Sequence, residues 1–255
     1  MMDAPNSDIR LHVHRWGDGP PVVLVHGSIL GGRETWRAQR PLTSRWTLLA
    51  PDRPGHGETP YARQDFESEA RLLATQLLDR PVHLVGLSYG GIVAMYAAAR
   101  RPENVRSLTV VEPPLYGVAR GNPEVDAMSA ATRELIERVD RAPELALRQF
   151  FEVVGVPAMP GASIPPVLVA GMRQLQGARP PDEAAPPLDV LRDADFPILA
   201  VSGGHSAAFE AVCDAIAEQT GGERAVCPGM GHLVPDTGEP FNALLEKFFE
   251  RAASR

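Results

Sequence analysis

Val82-His83-Leu84-Val85-Gly86-Leu87-Ser88-Tyr89-Gly90-Gly91 is the stretch that decides the architecture. Residues 82–86 form a short apolar run, weakened only by His83, of the kind expected for a strand buried on both faces. Residues 89–100 are rich in alanine and other small residues and read as a helix. Between them Gly86-Leu87-Ser88-Tyr89-Gly90 fits the pattern G-x-S-x-G, which carries chemistry when a strand precedes it and a helix follows. Such a turn is sharp. Side chains two positions before and two after the serine would collide, so glycine stands at both. The turn lifts the Ser88 hydroxyl into the open at a helix N-terminus, where the dipole favours developing negative charge. A chance pentapeptide in a tight turn is the competing reading. In this context Ser88 is the candidate nucleophile for a carbonyl carbon, and it needs a base to take its proton.

Working outward, further apolar runs at 9–15, 22–25, 46–50, 106–111, 197–202 and 223–227 read as strands. Helical patterns at 66–79, 207–219 and 239–251 lie among them; in the first, Leu72, Leu73, Leu77 and Leu78 share a face. Strands alternating with helices imply right-handed crossovers and a mostly parallel sheet. Chemistry then gathers beyond the carboxyl ends of the strands. Residues 113–190 break the alternation with helical pieces near 123–139, 143–154 and 166–176, punctuated by twelve of the chain's 25 prolines. That is too long for a plain connection. The expectation is one domain, 1–255, with a core of 1–112 and 191–255 and an insertion at about 113–190 serving as a lid over the site.

Composition excludes several classes. Net charge is −7, so no basic surplus is available for nucleic acid or an anionic membrane. No apolar run approaches the roughly 18 residues of a membrane span. The opening MMDAPNSDIR has no apolar segment of the signal type. Two cysteines, Cys213 and Cys227, cannot make a disulfide framework, and a reduced, cytoplasmic setting is the simplest reading.

Two more loops belong to the carboxyl edge. His26-Gly27-Ser28 follows the run 22–25, and the backbone N–H groups of Ser28 (or Ile29) and Tyr89 are the expected donors to an oxyanion. His232, in Pro228-Gly229-Met230-Gly231-His232, lies between the last strand and the last helix and is the preferred base, with His205 as runner-up. The other histidines read differently. His12 and His14 share a strand face with no acidic cluster nearby in sequence, His83 belongs to the core, and His56 in Asp52-Arg53-Pro54-Gly55-His56-Gly57 reads as structural.

Taken together, HGS, DRPGHG, GLSYGG and GMGH, in that order, resemble the α/β-hydrolase superfamily along the whole chain. The resemblance implies the α/β-hydrolase fold, with helices on both faces of the sheet and a helical lid, and the chain order nucleophile, acid, histidine. It also implies an aspartate after the penultimate strand. Here Val201-Ser202-Gly203-Gly204-His205-Ser206 has Ser206 in that place. Asp189, Asp193 and Asp195 precede the strand and fall at the wrong edge, and Asp52 reads as holding its own loop. Glu112, ending the strand 106–111 before Pro113-Pro114, is the preferred acid, as in the similar zearalenone-type lactone hydrolases. Glu210, or a dyad without an acid, is the alternative.

These residues suggest acyl transfer to water through an acyl-enzyme on Ser88, with no cofactor and no metal. The expected partner is a neutral, fairly apolar carboxylic ester or lactone, and the oligomeric state is left open. Leu115, Tyr116, Met128, Phe150, Phe151 and Met159 are candidate substrate contacts from the insertion. C–C hydrolysis, lyase chemistry and a ligand-binding protein with little turnover are the alternatives.

Overall fold

The computed structural model describes residues 9–157 and 163–253. Among the described residues seven strands form one sheet: β1 Val13–Trp16, β2 Pro21–Val25, β3 Thr47–Pro51, β4 Val82–Leu87, β5 Val105–Val111, β6 Ile198–Ser202 and β7 Glu223–Val226. Their spatial order is β1-β3-β2-β4-β5-β6-β7, with β1 antiparallel to β3 and every other pairing parallel. The sheet is therefore mostly parallel, as the alternating pattern implies, and β1 is its one antiparallel edge. The run at 9–15 becomes a shorter strand that starts four residues later.

Continuous apolar runs suit these strands because both faces are covered. On β2, Val23 and Val25 join the core beneath α2 (Phe66–Leu77), α3 (Tyr89–Arg100) and α8 (Ala207–Thr220). Val22 and Leu24 point the other way, into a core closed by α9 (Glu239–Ala253) through Phe241, Leu245 and Phe249. Successive strand residues alternate faces, so a run of five apolar residues serves both cores.

Between β5 and β6 the chain adds α4 (Pro123–Arg138), α5 (Pro143–Val154), α6 (Pro166–Arg173) and α7 (Leu188–Arg192). Proline opens α4, α5 and α6, where its missing N–H costs nothing. Val139, Leu147, Met172 and Leu175 form a separate small core, and Ile29 and Leu30 of the loop after β2 pack against it. The inserted segment thus rests directly on the loop that follows β2. Among the described residues no helix is long and apolar enough to cross a membrane.

Candidate active site

Ser88 follows β4 directly and caps α3 at φ 54°, ψ −128°. Among the described residues only Ser88 and Glu112 combine a side chain with positive φ. Strain of this kind costs roughly 1–3 kcal/mol and persists only where the surroundings impose it. Sheet and helix do so here. The Ser88 N–H donates to Val111 O at 2.8 Å, and Ser88 O accepts from Gly91 N at 2.8 Å. The flanking glycines are required sterically. A Cβ on Gly86 would lie 2.5 Å from Gly90 O, and one on Gly90 would lie 2.2 Å from His26 O.

Glu112 is the other strained position, at φ 42°. Its N–H donates to Val201 O at 2.9 Å, which locks the bend against β6. The carboxylate is fully buried. Oε1 accepts from Gly203 N at 2.6 Å, and Oε2 lies 2.7 Å from His232 Nδ1 and 3.1 Å from His205 Nε2. Burial alone would raise the Glu112 pKa. The bond and charge of His232, with the Gly203 N–H and His205, outweigh burial and hold the carboxyl below its ordinary value. The group is therefore a carboxylate at neutral pH. An ionised acid accepts only, so His232 Nδ1 carries the proton and Nε2 is left as the basic nitrogen. The Phe209 ring stacks on His232 at 4.8 Å and 21°, which limits rotation of the imidazole.

The loop after β2 is held from behind. His26 donates from Nδ1 to Gly27 O at 2.7 Å and accepts the Arg53 N–H on Nε2 at 2.8 Å. Burial, with His56 and Arg53 nearby, holds the His26 pKa well below its ordinary value, so the ring is neutral. Arg53 bonds Gly27 O at 2.8 Å and pairs with Glu69 at 2.6 Å, both partners buried. His56 Nε2 lies 3.0 Å from Ser28 O, and burial lowers its pKa to about 4. With the Gly27 and Ser28 carbonyls turned to these donors, the peptide N–H groups of the loop are left for the other side. Tyr89 is the first residue of α3, so its N–H has no partner inside the helix.

Ser28 and Ser88 lie on the walls of two cavities. Ile29, Phe150, Phe151 and His232 line the larger; Tyr89, Tyr116 and again Phe150 line the smaller. Leu115 and Met128 line neither. Leu115 is buried in the core under α3, and Met128 packs against that core, so an apolar residue of the insertion need not face the site. Met159 lies outside the described residues. Glu210 is turned away, accepting from Gly204 N at 3.1 Å and pairing with Arg224. Ser206, where the aspartate is expected, caps α8. His83 bonds Ser107 Oγ at 2.8 Å inside the sheet.

Sequence reasoning missed the His205–Glu112 contact. The signal was present, since Gly203-Gly204-His205 follows the strand beside Glu112, but a two-residue turn leaves the ring's direction open. Among the described residues two groups place three possible metal-ligating atoms within 4.8 Å of one another: His12, His14 and Asp52, and Glu112, His205 and His232. In both, N–H donors already occupy the carboxylate oxygens.

The alpha/beta hydrolase family model matches residues 22–244. The chain belongs to the alpha/beta hydrolase family. It is an enzyme of that family. It is 33% identical over 196 residues to the pimeloyl-[acyl-carrier protein] methyl ester esterase of Chromobacterium violaceum, covering 75% of this chain and 74% of that one. The protein of the same name from Methylococcus capsulatus is 35% identical over 195 residues, 73% of this chain and 72% of that one. The fold matches a thermophilic esterase from Thermogutta terrifontis at TM-score 0.71 and 24% identity, over 98% of this chain and 96% of that one. It also matches an esterase from Exiguobacterium antarcticum at TM-score 0.74 and 21% identity, over 96% and 97%.

Proposed function

We propose that this hydrolase cleaves neutral, fairly apolar carboxylic esters or lactones through an acyl-enzyme on Ser88. The observation that carries the reading is a strained serine at the head of α3 sharing a cavity with His232, whose Nδ1 is 2.7 Å from a buried glutamate. His232 takes the Ser88 proton as Oγ attacks the carbonyl carbon, and Glu112 stabilises the resulting imidazolium. The N–H groups of Ser28 or Ile29 and of Tyr89 receive the oxyanion. The imidazolium then protonates the leaving alkoxide, and a water activated by His232 releases the acid and restores Ser88.

Residues 113–190 act in this reading as a lid over the apolar walls. Phe150 and Phe151 line the large cavity from above, while Arg37 and Asp236, paired at 2.8 Å, are its charged lining residues. The apolar walls favour an uncharged substrate. The buried, unpaired thiols of Cys213 and Cys227 fit a reducing compartment such as the cytoplasm.

The test is covalent. A small organophosphate that phosphorylates activated serines should add its mass to Ser88 alone, found by peptide mapping, and should abolish turnover of p-nitrophenyl acetate. Turnover that survives complete labelling, or labelling elsewhere, would overturn the assignment.

A further inference from the structure

Ser88 stands between two cavities of very different size. The larger is about 600 Å³, bounded by Phe151, Leu168, Met230, His232 and Leu233 among others. The smaller is about 20 Å³, lined by Ile136, Val154, Leu175, Pro181 and Phe209 and by Tyr116, whose hydroxyl pairs with Thr132 Oγ1 at 3.0 Å. Ser28, Ser88 and Phe150 are common to both walls. A volume near 20 Å³ admits about one group the size of a water or a methyl.

Reaction chemistry gives these spaces a direction. Resting on the acyl-enzyme reading above, the base that removes the serine proton must return it to the departing oxygen. The leaving alcohol therefore lies on the side of His232. That imidazole lines the large cavity and not the small one. The acyl carbon stays bonded to Ser88 Oγ with its oxygen toward the Ser28 and Tyr89 amides. What remains for the acyl substituent is the small pocket, which Tyr89 lines from the oxyanion side.

We infer that the substrate class is an ester of a short acid, acetyl or little more, with a bulky and largely apolar alcohol. The arms are the reverse of those named for the relatives, where the alcohol is methanol. The balance is that of simple hydrolysis. The Ser88 Oγ–C bond forms and the C–O bond to the alcohol breaks. The alcohol leaves with the proton that His232 took from Ser88; water then gives its hydroxyl to the acyl carbon and a proton to His232, the Ser88 Oγ–C bond breaks, and that proton returns to Ser88 Oγ. A lactone keeps acid and alcohol in one tether, and an acyl arm longer than the pocket has no place on the small side.

Two series of initial rates on the whole protein test this. With p-nitrophenol fixed, kcat/KM should fall by 10²-fold or more from acetate to octanoate. With acetate fixed, it should rise at least tenfold from methyl to hexyl and 2-naphthyl esters. Ile136→Ala opens the small pocket and should recover butyrate or hexanoate without raising the rate on 2-naphthyl acetate. Leu233→Trp fills the large cavity and should lower the ratio of kcat/KM on 2-naphthyl acetate to that on methyl acetate at least tenfold. Faster turnover of methyl octanoate than of octyl acetate would overturn the assignment of sides. Organophosphate labelling separates the failures. Ser88 labelled with long-acyl preference sinks only this inference, whereas Ser88 unlabelled and esters inert sink the acyl-enzyme reading beneath it.

Discussion

Two buried carboxylates lie beyond the carboxyl ends of β3 and β5, each with two imidazoles close by. Asp52 Oδ1 accepts from Gly32 N at 2.8 Å, and its Oδ2 from Glu58 N and His14 Nε2, each at 3.1 Å. Glu112 has one backbone donor and two imidazoles. Backbone donors pin loops, and a carboxylate that spends most of its capacity on them is a structural tie. One that spends it on side chains can pass its charge to a ring that faces a cavity. The neighbours complete the contrast. His14 stacks on Trp16 at the sheet edge, whereas His232 shares a cavity wall with Ser88. Residue type and burial alone would not have separated the two groups. The donors do.

The comparison can be broken at five places. Ser88→Ala should lower kcat on p-nitrophenyl acetate by about 10⁴–10⁶, with a far-ultraviolet circular dichroism spectrum like that of the parent. Glu112→Gln should follow with a loss of about 10⁴, because the imidazole loses its fixed tautomer. If it costs less than tenfold, the two carboxylates do not differ as argued. Asp52→Asn should show the opposite balance. An amide cannot accept on both sides, so about 1–3 kcal/mol of stability should go while kcat changes less than tenfold. Chemical denaturation beside steady-state rates would measure both.

His205→Gln sharpens the Glu112 half. Glutamine keeps an N–H donor for Glu112 Oε2, whereas alanine removes it. His205→Ala should therefore lower kcat more than His205→Gln does, by about tenfold against less, because a hydrogen bond to a charged group contributes about 1.5–3 kcal/mol. Equal rates for the two variants leave His205 as mere packing. The fifth test reads stability alone, at the loop that carries Asp52 and His56. Burial depresses the pKa of His26, and takes that of His56 to about 4. A histidine buried neutral takes up a proton on unfolding below its free value near 6.5. Stability should thus be complete above pH 6.5 and decline toward pH 4, read as a falling Tm.

Much of the architecture was legible because fully covered strands must be apolar throughout. The runs at 22–25, 82–86, 106–111 and 197–202 lie within a residue of β2, β4, β5 and β6. The edges were less so. β1 has one partner and a mixed surface, so its alternating pattern runs on past the pairing. At the site, Ser88 announces itself because a G-x-S-x-G turn has few other uses. Glu112 and His232 could be placed at one edge by topology, but their 2.7 Å contact depends on loops 120 residues apart. The positive φ of Glu112 left no trace in composition, since a glutamate there costs strain that only β6 and the Gly203 N–H offset. The two cavities were illegible for a related reason. Whether Met128 or Phe150 faces the site is set by the azimuths of two helices, α4 packed on the main core and α5 on the small one, and periodicity gives only which residues share a face.

The position of Glu112 in the chain limits how this enzyme can be rebuilt. Pro113 and Pro114 follow it at once, and the first inserted helix begins soon after, at Pro123. An acid on the loop after β6 would leave the insertion free to be exchanged as a cassette. Here a graft cut at the edge of the sheet would fall beside the carboxylate and disturb a backbone already held at an unfavourable φ. The return side is tethered as well, because Gly155 at the end of α5 accepts the His232 N–H at 3.2 Å. A chimera that retains function should join beyond Leu115, which is anchored in the core, and should keep Gly155. In this molecule the inserted helices and the Glu112–His232 contact are not separable units of inheritance.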